Sequence, residues 1–100
     1  MSVLELGKEN FDETISSGDT LVDFWAAWCG PCRMQSPVVD SFAETHSAVK
    51  VGKVNVDEEA ELAQRYGVMS IPTLIAFRNG EIISKKVGLS PAEEIEEMFQ

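Results

Sequence analysis

The strongest constraint on the fold is a near-continuous apolar segment, residues 20–25, that leads directly to the only two cysteines of the chain. Hydrophobic residues in close succession are typical of a strand that is buried on both faces of a parallel sheet. We therefore predict that this segment is a central strand and that helices cover both of its sides. One charged residue, Asp23, interrupts it.

Segments of strand and helix character alternate along the rest of the chain. Apolar spacing, proline and glycine place their boundaries. The predicted elements are a strand at 3–6, a helix at 9–17, the strand at 20–25, a helix from 31 to about 47 that contains Pro37, a strand at 49–56, a helix capped by Asp57 and ended by Gly67, strands at 73–78 and 81–87, and a last helix that begins near residue 91.

Two local motifs define the C-terminal third. Asn79-Gly80 is a strong hairpin signal between the last two strands. Ser90, with Pro91 after it and Glu93 three positions on, predicts a capping box with proline at the first helical position. The order βαβαβαββα then predicts an α/β fold: a mixed five-stranded sheet with about four helices on its two faces and an antiparallel hairpin at the end.

Length and charge narrow the classes of protein that fit. One hundred residues are enough for a single domain, 1–100. A formal charge of −9, from 17 acids and 8 bases, is opposite to what nucleic-acid binding needs. No apolar run approaches the roughly 20 residues of a membrane span, and residues 1–8 lack the features of a signal peptide. We expect a cytoplasmic monomer that binds neither nucleic acid nor membrane.

The cysteines, Cys29 and Cys32, lie three positions apart where the long helix is predicted to begin. In a first helical turn their Cα atoms would be roughly 5 Å apart, within the range of a disulfide. The pair can therefore open and close with little backbone movement, as a redox switch requires. With Cys29 as N-cap and Pro31 in the first turn, we expect the Cys29 sulfur to be exposed, to accept from the Cys32 N–H and to lie at the positive end of the helix dipole.

Activation of Cys29 by the helix dipole is modest. A partly buried dipole interaction contributes about 1–2 kcal/mol, and the lower nucleophilicity of a stabilised thiolate offsets much of the gain, so the net rate increase is about threefold. Substrate docking and the second thiol must therefore supply most of the efficiency.

Cys32 is expected to be shielded and to react second, which requires a proton acceptor nearby. Asp23 is the candidate, because burial within an apolar strand should raise the pKa of its carboxyl group. The alternative is that Asp23 only hydrogen-bonds to backbone at a strand end. Lys53 is charged within another predicted strand. It is either a partner of Asp23 or an exposed surface residue.

These residues resemble the thioredoxin family. The segment 24–32 is similar to the family's active-site signature, and the likeness extends to Asp23, Pro37, residues 71–74, Asn79-Gly80 and Val87-Gly88. It covers essentially the whole chain. The resemblance implies the thioredoxin fold and a protein-disulfide reductase in which Cys29 attacks the substrate, Cys32 resolves the mixed disulfide and Asp23 accepts and returns the proton.

The resemblance also implies partners and a docking surface. The Cys29–Cys32 disulfide would serve in place of any cofactor, a thioredoxin reductase would restore the dithiol, and the targets would be disulfide-containing proteins. Substrate would dock on an apolar surface with a cis Ile71–Pro72 bond, formed by Trp28, Gly30, Pro31, Gly67, Ile71, Pro72 and Gly88. Gln35 and Leu89 depart from the usual apolar residue and alanine, which leaves partner preference open.

Three other functions stay open at this point. A disulfide-forming oxidase or isomerase shares the fold, although Gly30-Pro31 between the cysteines matches the reducing members. A structural zinc site wants four ligands, and the chain has two cysteines and one distant histidine, His46, which we interpret as a surface helix residue. A non-catalytic binding module is the third, and the intact Cys-x-x-Cys with Asp23 argues against that as the sole role.

Overall fold

A computed structural model describes residues 3–100, so Met1 and Ser2, the start of the segment inspected for a signal peptide, lie outside it. The apolar segment is a strand and forms the middle of the molecule. In chain order the elements are β1 (Leu4–Glu5), α1 (Phe11–Ile15), β2 (Asp19–Trp25), α2 (Gly30–Thr45), β3 (Val49–Asn55), α3 (Ala60–Arg65), β4 (Thr73–Arg78), β5 (Glu81–Val87) and α4 (Ala92–Glu97).

The five strands form one mixed sheet in the order β1-β3-β2-β4-β5. Strand β2 pairs in parallel with β3 and antiparallel with β4, which places it at the centre as predicted. Strands β4 and β5 form the predicted hairpin. Asn79 and Gly80 both have positive φ, 52° and 87°, a backbone region that glycine and asparagine tolerate best. The predicted α/β class is confirmed.

Helices cover both faces of the sheet. Strand alternation sends Val22 and Phe24 to one face, where they pack with residues of α1 and α3. Leu21 points to the other face, where α2 and α4 contribute Val39, Phe42 and Ile95. Asp23 has the same parity as Leu21. Its carboxyl group is therefore buried beneath α2, the helix that begins at the cysteines.

Two predicted helix caps are wrong. Helix α3 begins at Ala60, and the Asp57 carboxylate instead accepts from the Trp28 indole Nε1–H at 3.0 Å. Helix α4 begins at Ala92, and within residues 3–100 no side chain caps it. In a capping box, the Ser90 N–H would donate to the Glu93 side chain. The box does not form here because this N–H donates to Gln35 Oε1 at 2.7 Å. Tertiary partners therefore replaced both local motifs.

The predicted helix boundaries were also too wide, since α1 covers five residues instead of 9–17. In the part of the chain that the structure describes, no helix is long and apolar enough to cross a membrane.

Candidate active site

The cysteines lie where the spacing predicted, at the start of α2. Cys29 is the N-cap and has extended backbone angles, and Gly30 and Pro31 follow in the first turn. Cys29 and Cys32 are joined by a disulfide, with Cα atoms 5.3 Å apart. The Cys32 N–H donates to the Cys29 sulfur at 3.2 Å. This N–H belongs to the first turn and has no acceptor within the helix. It is thus directed at the sulfur on which negative charge would develop after reduction.

The expected exposure of Cys29 is wrong for this disulfide form. Cys29 is 5% exposed and Cys32 3%, so accessible area barely distinguishes the two. Ala26 and Ile71 pack against the pair, and the Ile71 carbonyl oxygen lies 3.7 Å from the Cys29 sulfur. The two cysteines differ instead in their surroundings, because Cys29 follows the exposed Trp28 while Cys32 lines a cleft.

That cleft, about 160 Å³, connects Cys32 with Asp23, Ser36 and Lys53. Asp23 is 1% exposed, and its Oδ1 atom has no hydrogen-bond partner among residues 3–100. Burial raises the pKa of Asp23 to about 7, against the attraction of the Lys53 ammonium group and with a contribution from the Asp40 carboxylate. A carboxyl group with this pKa can both accept and return a proton near neutral pH. It lies within β2 rather than at the strand's end, so the strand-end alternative does not hold.

Neither prediction for Lys53 describes its position. Lys53 is the register neighbour of Asp23 on β3, but its Nζ bonds to Asp40 Oδ1 at 3.0 Å and donates to Ser36 Oγ at 2.6 Å. Its side chain is 19% exposed, so it is not a surface lysine. Among the described residues it forms no ion pair with Asp23. Two side chains of α2 hold the ammonium group, which acts on Asp23 only through the field across the cleft.

The loop that carries Pro72 lies against the disulfide. The Ile71–Pro72 bond is cis, as the family resemblance implied. The Gly88 N–H donates to the Pro72 carbonyl at 2.8 Å, and Gly88 has a φ of 94°, a conformation that a residue with a side chain rarely adopts. Gly67, also predicted for docking, ends α3, and its carbonyl oxygen lies 3.5 Å from Lys85 Nζ.

Exposed apolar side chains occur next to the site residues in the chain. Trp28 is 67% exposed and Met69, two residues before Ile71, is 94% exposed, while Leu89 beside Gly88 is 48% exposed. Large apolar residues exposed together are typical of a binding surface. Sequence reasoning missed the contact of Asp57 with Trp28 and those of Ser36 and Asp40 with Lys53. No local pattern signals them, because the partners lie 13 to 29 positions apart in the sequence.

Comparison with known proteins decides the family. A model of the thioredoxin family matches residues 2–100. The chain belongs to the thioredoxin family. It is 49% identical over 98 residues to the thioredoxin of Alicyclobacillus acidocaldarius, with 95% of this chain and 92% of the relative covered. It is 41% identical over 99 residues to the thioredoxin of Bacillus subtilis, with 98% and 95% covered.

Solved thioredoxin structures share the fold. The thioredoxin of Malassezia sympodialis has a TM-score of 0.88 and 35% identity, with 99% of this chain and 90% of that chain covered. A mutant thioredoxin of Halobacterium salinarum has a TM-score of 0.90 and 38% identity, with 97% and 87% covered. The predicted thioredoxin fold is confirmed.

Membership in the thioredoxin family makes the chain a thiol-disulfide oxidoreductase, and specifically a protein-disulfide reductase. Thioredoxins carry electrons on their own active-site disulfide, here Cys29–Cys32, and need no separate cofactor. Within the described residues, no three histidine, cysteine or acidic side chains are grouped so as to hold a metal ion.

Proposed function

We propose that Cys29 is the attacking thiol of this reductase and Cys32 the resolving thiol. The observation that carries the assignment is the unlike surroundings of the two sulfurs. Cys29 accepts from the helix N-terminus and adjoins Trp28, whereas Cys32 lines the cleft that holds Asp23. A nucleophile benefits from the first setting, and a thiol that must lose its proton late in the reaction benefits from the second.

The reaction then proceeds in two exchanges. The Cys29 thiolate attacks a sulfur of the substrate disulfide, which forms a mixed disulfide and releases one substrate thiolate. Asp23 accepts the Cys32 proton, and the Cys32 thiolate attacks the Cys29 sulfur, which releases the second substrate thiolate. The substrate gains two electrons, and the protein returns to the Cys29–Cys32 disulfide.

Replacing Cys32 by serine tests this assignment. Without a resolving thiol, the mixed disulfide through Cys29 should persist after the first exchange in the absence of added thiol. We expect the pre-reduced variant to bind a disulfide-containing protein covalently, and peptide mass spectrometry should locate the link on Cys29. The matched variant Cys29→Ser retains Cys32 and should give no such adduct. A stable adduct on Cys32 in that variant would reverse the two roles.

Substrate docking is assigned to the surface formed by Trp28, Gly30, Pro31, Gly67, Ile71, Pro72 and Gly88, which we call the docking surface. Support comes from the exposure of Trp28 and from the contacts of Ile71 with the disulfide and of Gly88 with Pro72. A protein chain that reaches the sulfurs would therefore also meet the segment that carries Ile71.

Replacing Trp28 by alanine should weaken docking of a protein substrate. Truncation of an aromatic anchor typically costs about 2 kcal/mol, so we expect the KM for insulin disulfides to rise at least about tenfold. Stability should change little, because the ring is largely exposed. Trp28→Phe keeps an aromatic ring but loses the hydrogen bond to Asp57, and its KM should lie between those of the parent and the alanine variant. An unchanged KM in Trp28→Ala would exclude this residue from the docking surface.

A thioredoxin reductase is the proposed electron donor, and disulfide-containing proteins are the proposed targets. Family membership supports both. Measuring how fast NADPH-dependent and ferredoxin-dependent reductases reduce the Cys29–Cys32 disulfide would identify the source of electrons.

We further propose that residues 1–100 act as a monomeric domain in the cytoplasm. A sheet with core layers on both faces closes within the described residues. A dithiol that must be reduced to act also fits a reducing compartment.

A further inference from the structure

Gln35 is a polar residue on the buried face of α2. The helical spacing of Cys32, Gln35, Val39 and Phe42 places it among apolar positions, and it is 0% exposed. Burying an amide without hydrogen bonds is costly, so a glutamine here requires partners of its own. The mechanism described above gives it no role.

Both ends of the Gln35 amide bind the backbone of one residue. Its Nε2–H donates to the Ser90 carbonyl at 3.0 Å, and its Oε1 accepts from the Ser90 N–H at 2.7 Å. Ser90 is itself only 2% exposed and lies in the connection from β5 to α4. These two hydrogen bonds therefore satisfy the backbone N–H and C=O of Ser90, as pairing with a neighbouring strand would, although Ser90 belongs to no strand.

The bonded segment is continuous with the docking surface. Ser90 Oγ lies 3.3 Å from the Gly88 carbonyl oxygen, and the Gly88 N–H donates to Pro72. Leu89, half exposed, lies between the two bonded residues. One chain of hydrogen bonds thus leads from α2, three residues after Cys32, to the cis-proline loop.

We propose that Gln35 is a positioning residue for substrate specificity: it fixes residues 88–90, and with them Leu89, at the edge of the docking surface. The two residues that depart from the family's usual pattern then act together, because Gln35 holds the segment on which Leu89 is presented to a protein substrate. Small disulfides, which reach the sulfurs without covering that edge, gain nothing from it. The inference rests on the proposed docking surface.

The test is Gln35→Met, which fills similar space without hydrogen-bonding groups. Pre-reduced protein is mixed with excess insulin or with 5,5′-dithiobis(2-nitrobenzoic acid), so that no reductase is needed. Loss of two hydrogen bonds to a docking segment should raise the half-saturating insulin concentration about three- to tenfold. The limiting rate constant and the rate with the small disulfide should change less than about twofold. In the same variant, exchange of the Ser90 amide hydrogen should accelerate at least about tenfold.

Val39→Ala is the matched control, since it removes buried volume from the same helix but none of the hydrogen bonds that hold Ser90. It should lower the melting temperature and leave both disulfide reactions unchanged.

The proposal is overturned if Val39→Ala and Gln35→Met raise the half-saturating insulin concentration equally. It is overturned likewise if Gln35→Met slows the small disulfide as much as insulin, or if it changes neither reaction. It is also overturned if the Ser90 amide of the parent exchanges as fast as an exposed loop amide, a measurement that does not depend on any variant folding. If Trp28→Ala too leaves the insulin value unchanged, the docking surface itself is wrong; if only Gln35→Met does, the positioning role alone fails.

Discussion

Replacing Cys29 by serine is expected to reduce disulfide-reductase activity to the rate measured without the protein. A serine hydroxyl forms no thiolate and no disulfide, so neither the first exchange nor the return to the oxidised form can occur. The measurement is reduction of insulin, followed both with dithiothreitol as electron donor and in a single turnover of pre-reduced protein. The single turnover matters because it needs no added electron donor, so it reports the exchange with substrate without re-reduction of the protein.

The size of this effect separates Cys29 from every residue around it. Cys32→Ser should still complete one exchange per molecule and then stop, while Cys29→Ser should not begin. Unfolding both variants with denaturant shows whether a loss of activity comes from a less stable fold rather than from the missing sulfur. Insulin reduction above background by Cys29→Ser would exclude Cys29 as the attacking thiol and would give that role to Cys32. The binding-module hypothesis would be favoured only if Cys29→Ser preserved all cellular function.

Replacing Asp23 by asparagine is expected to stabilise the oxidised protein, increasingly so as the pH rises. In the unfolded chain this carboxyl group titrates near 3.8, whereas burial holds its pKa at about 7 in the folded protein. Between these values the folded form binds more protons, so the parent loses stability as pH increases. Three pKa units at 1.36 kcal/mol each give a penalty of about 4 kcal/mol above pH 7. The asparagine side chain carries no charge and avoids this penalty.

Denaturant unfolding of the oxidised forms at several pH values measures this difference. The variant should gain little near pH 4 and most above pH 7. Asp19→Asn, on the same strand, is the control of opposite sign: hydrogen bonding to Arg78 lowers the pKa of Asp19, so its removal should destabilise the protein at neutral pH and less in acid. A stability difference for Asp23→Asn that stays constant with pH would contradict a carboxyl group titrating near 7.

The same variant bears on the proton relay. If Asp23 accepts the Cys32 proton, Asp23→Asn should slow release of the second substrate thiolate more than formation of the mixed disulfide. Equal slowing of both steps, or of neither, would confine Asp23 to an effect on stability.

Local sequence signals predicted where the cysteines and Asp23 lie in the fold. Cys29 and Cys32 at the first turn of a helix follow from their spacing and from Pro31, because backbone geometry within one turn is a local property. The central position of β2 and the turn at Asn79-Gly80 follow for the same reason, since one depends on unbroken apolar character and the other on residues that tolerate positive φ. The burial of Asp23 follows from its place within β2.

Partners distant in the chain were beyond such signals. Asp57 and Ser90 carry good local capping patterns, yet Trp28 and Gln35 occupy those groups in the folded protein. Lys53 lies beside Asp23 in register, but its ammonium group contacts Ser36 and Asp40, and these contacts depend on how α2 packs on β3. Gln35 did carry a signal, because a polar residue within an apolar helical stripe requires a buried partner. The identity of that partner required the fold.

Local sequence therefore sets the positions of the reactive groups: two thiols one helical turn apart and a carboxyl group in the strand that precedes them. The surroundings of these groups depend on contacts between distant parts of the chain. The fold buries Cys29 nearly as deeply as Cys32. It pairs the Lys53 ammonium group with Ser36 and Asp40, and it joins α2 to residues 88–90 through the hydrogen bonds of Gln35. The physical reason is that backbone geometry is set by neighbours in the chain, whereas burial and hydrogen-bond partners are set by groups that only folding brings together.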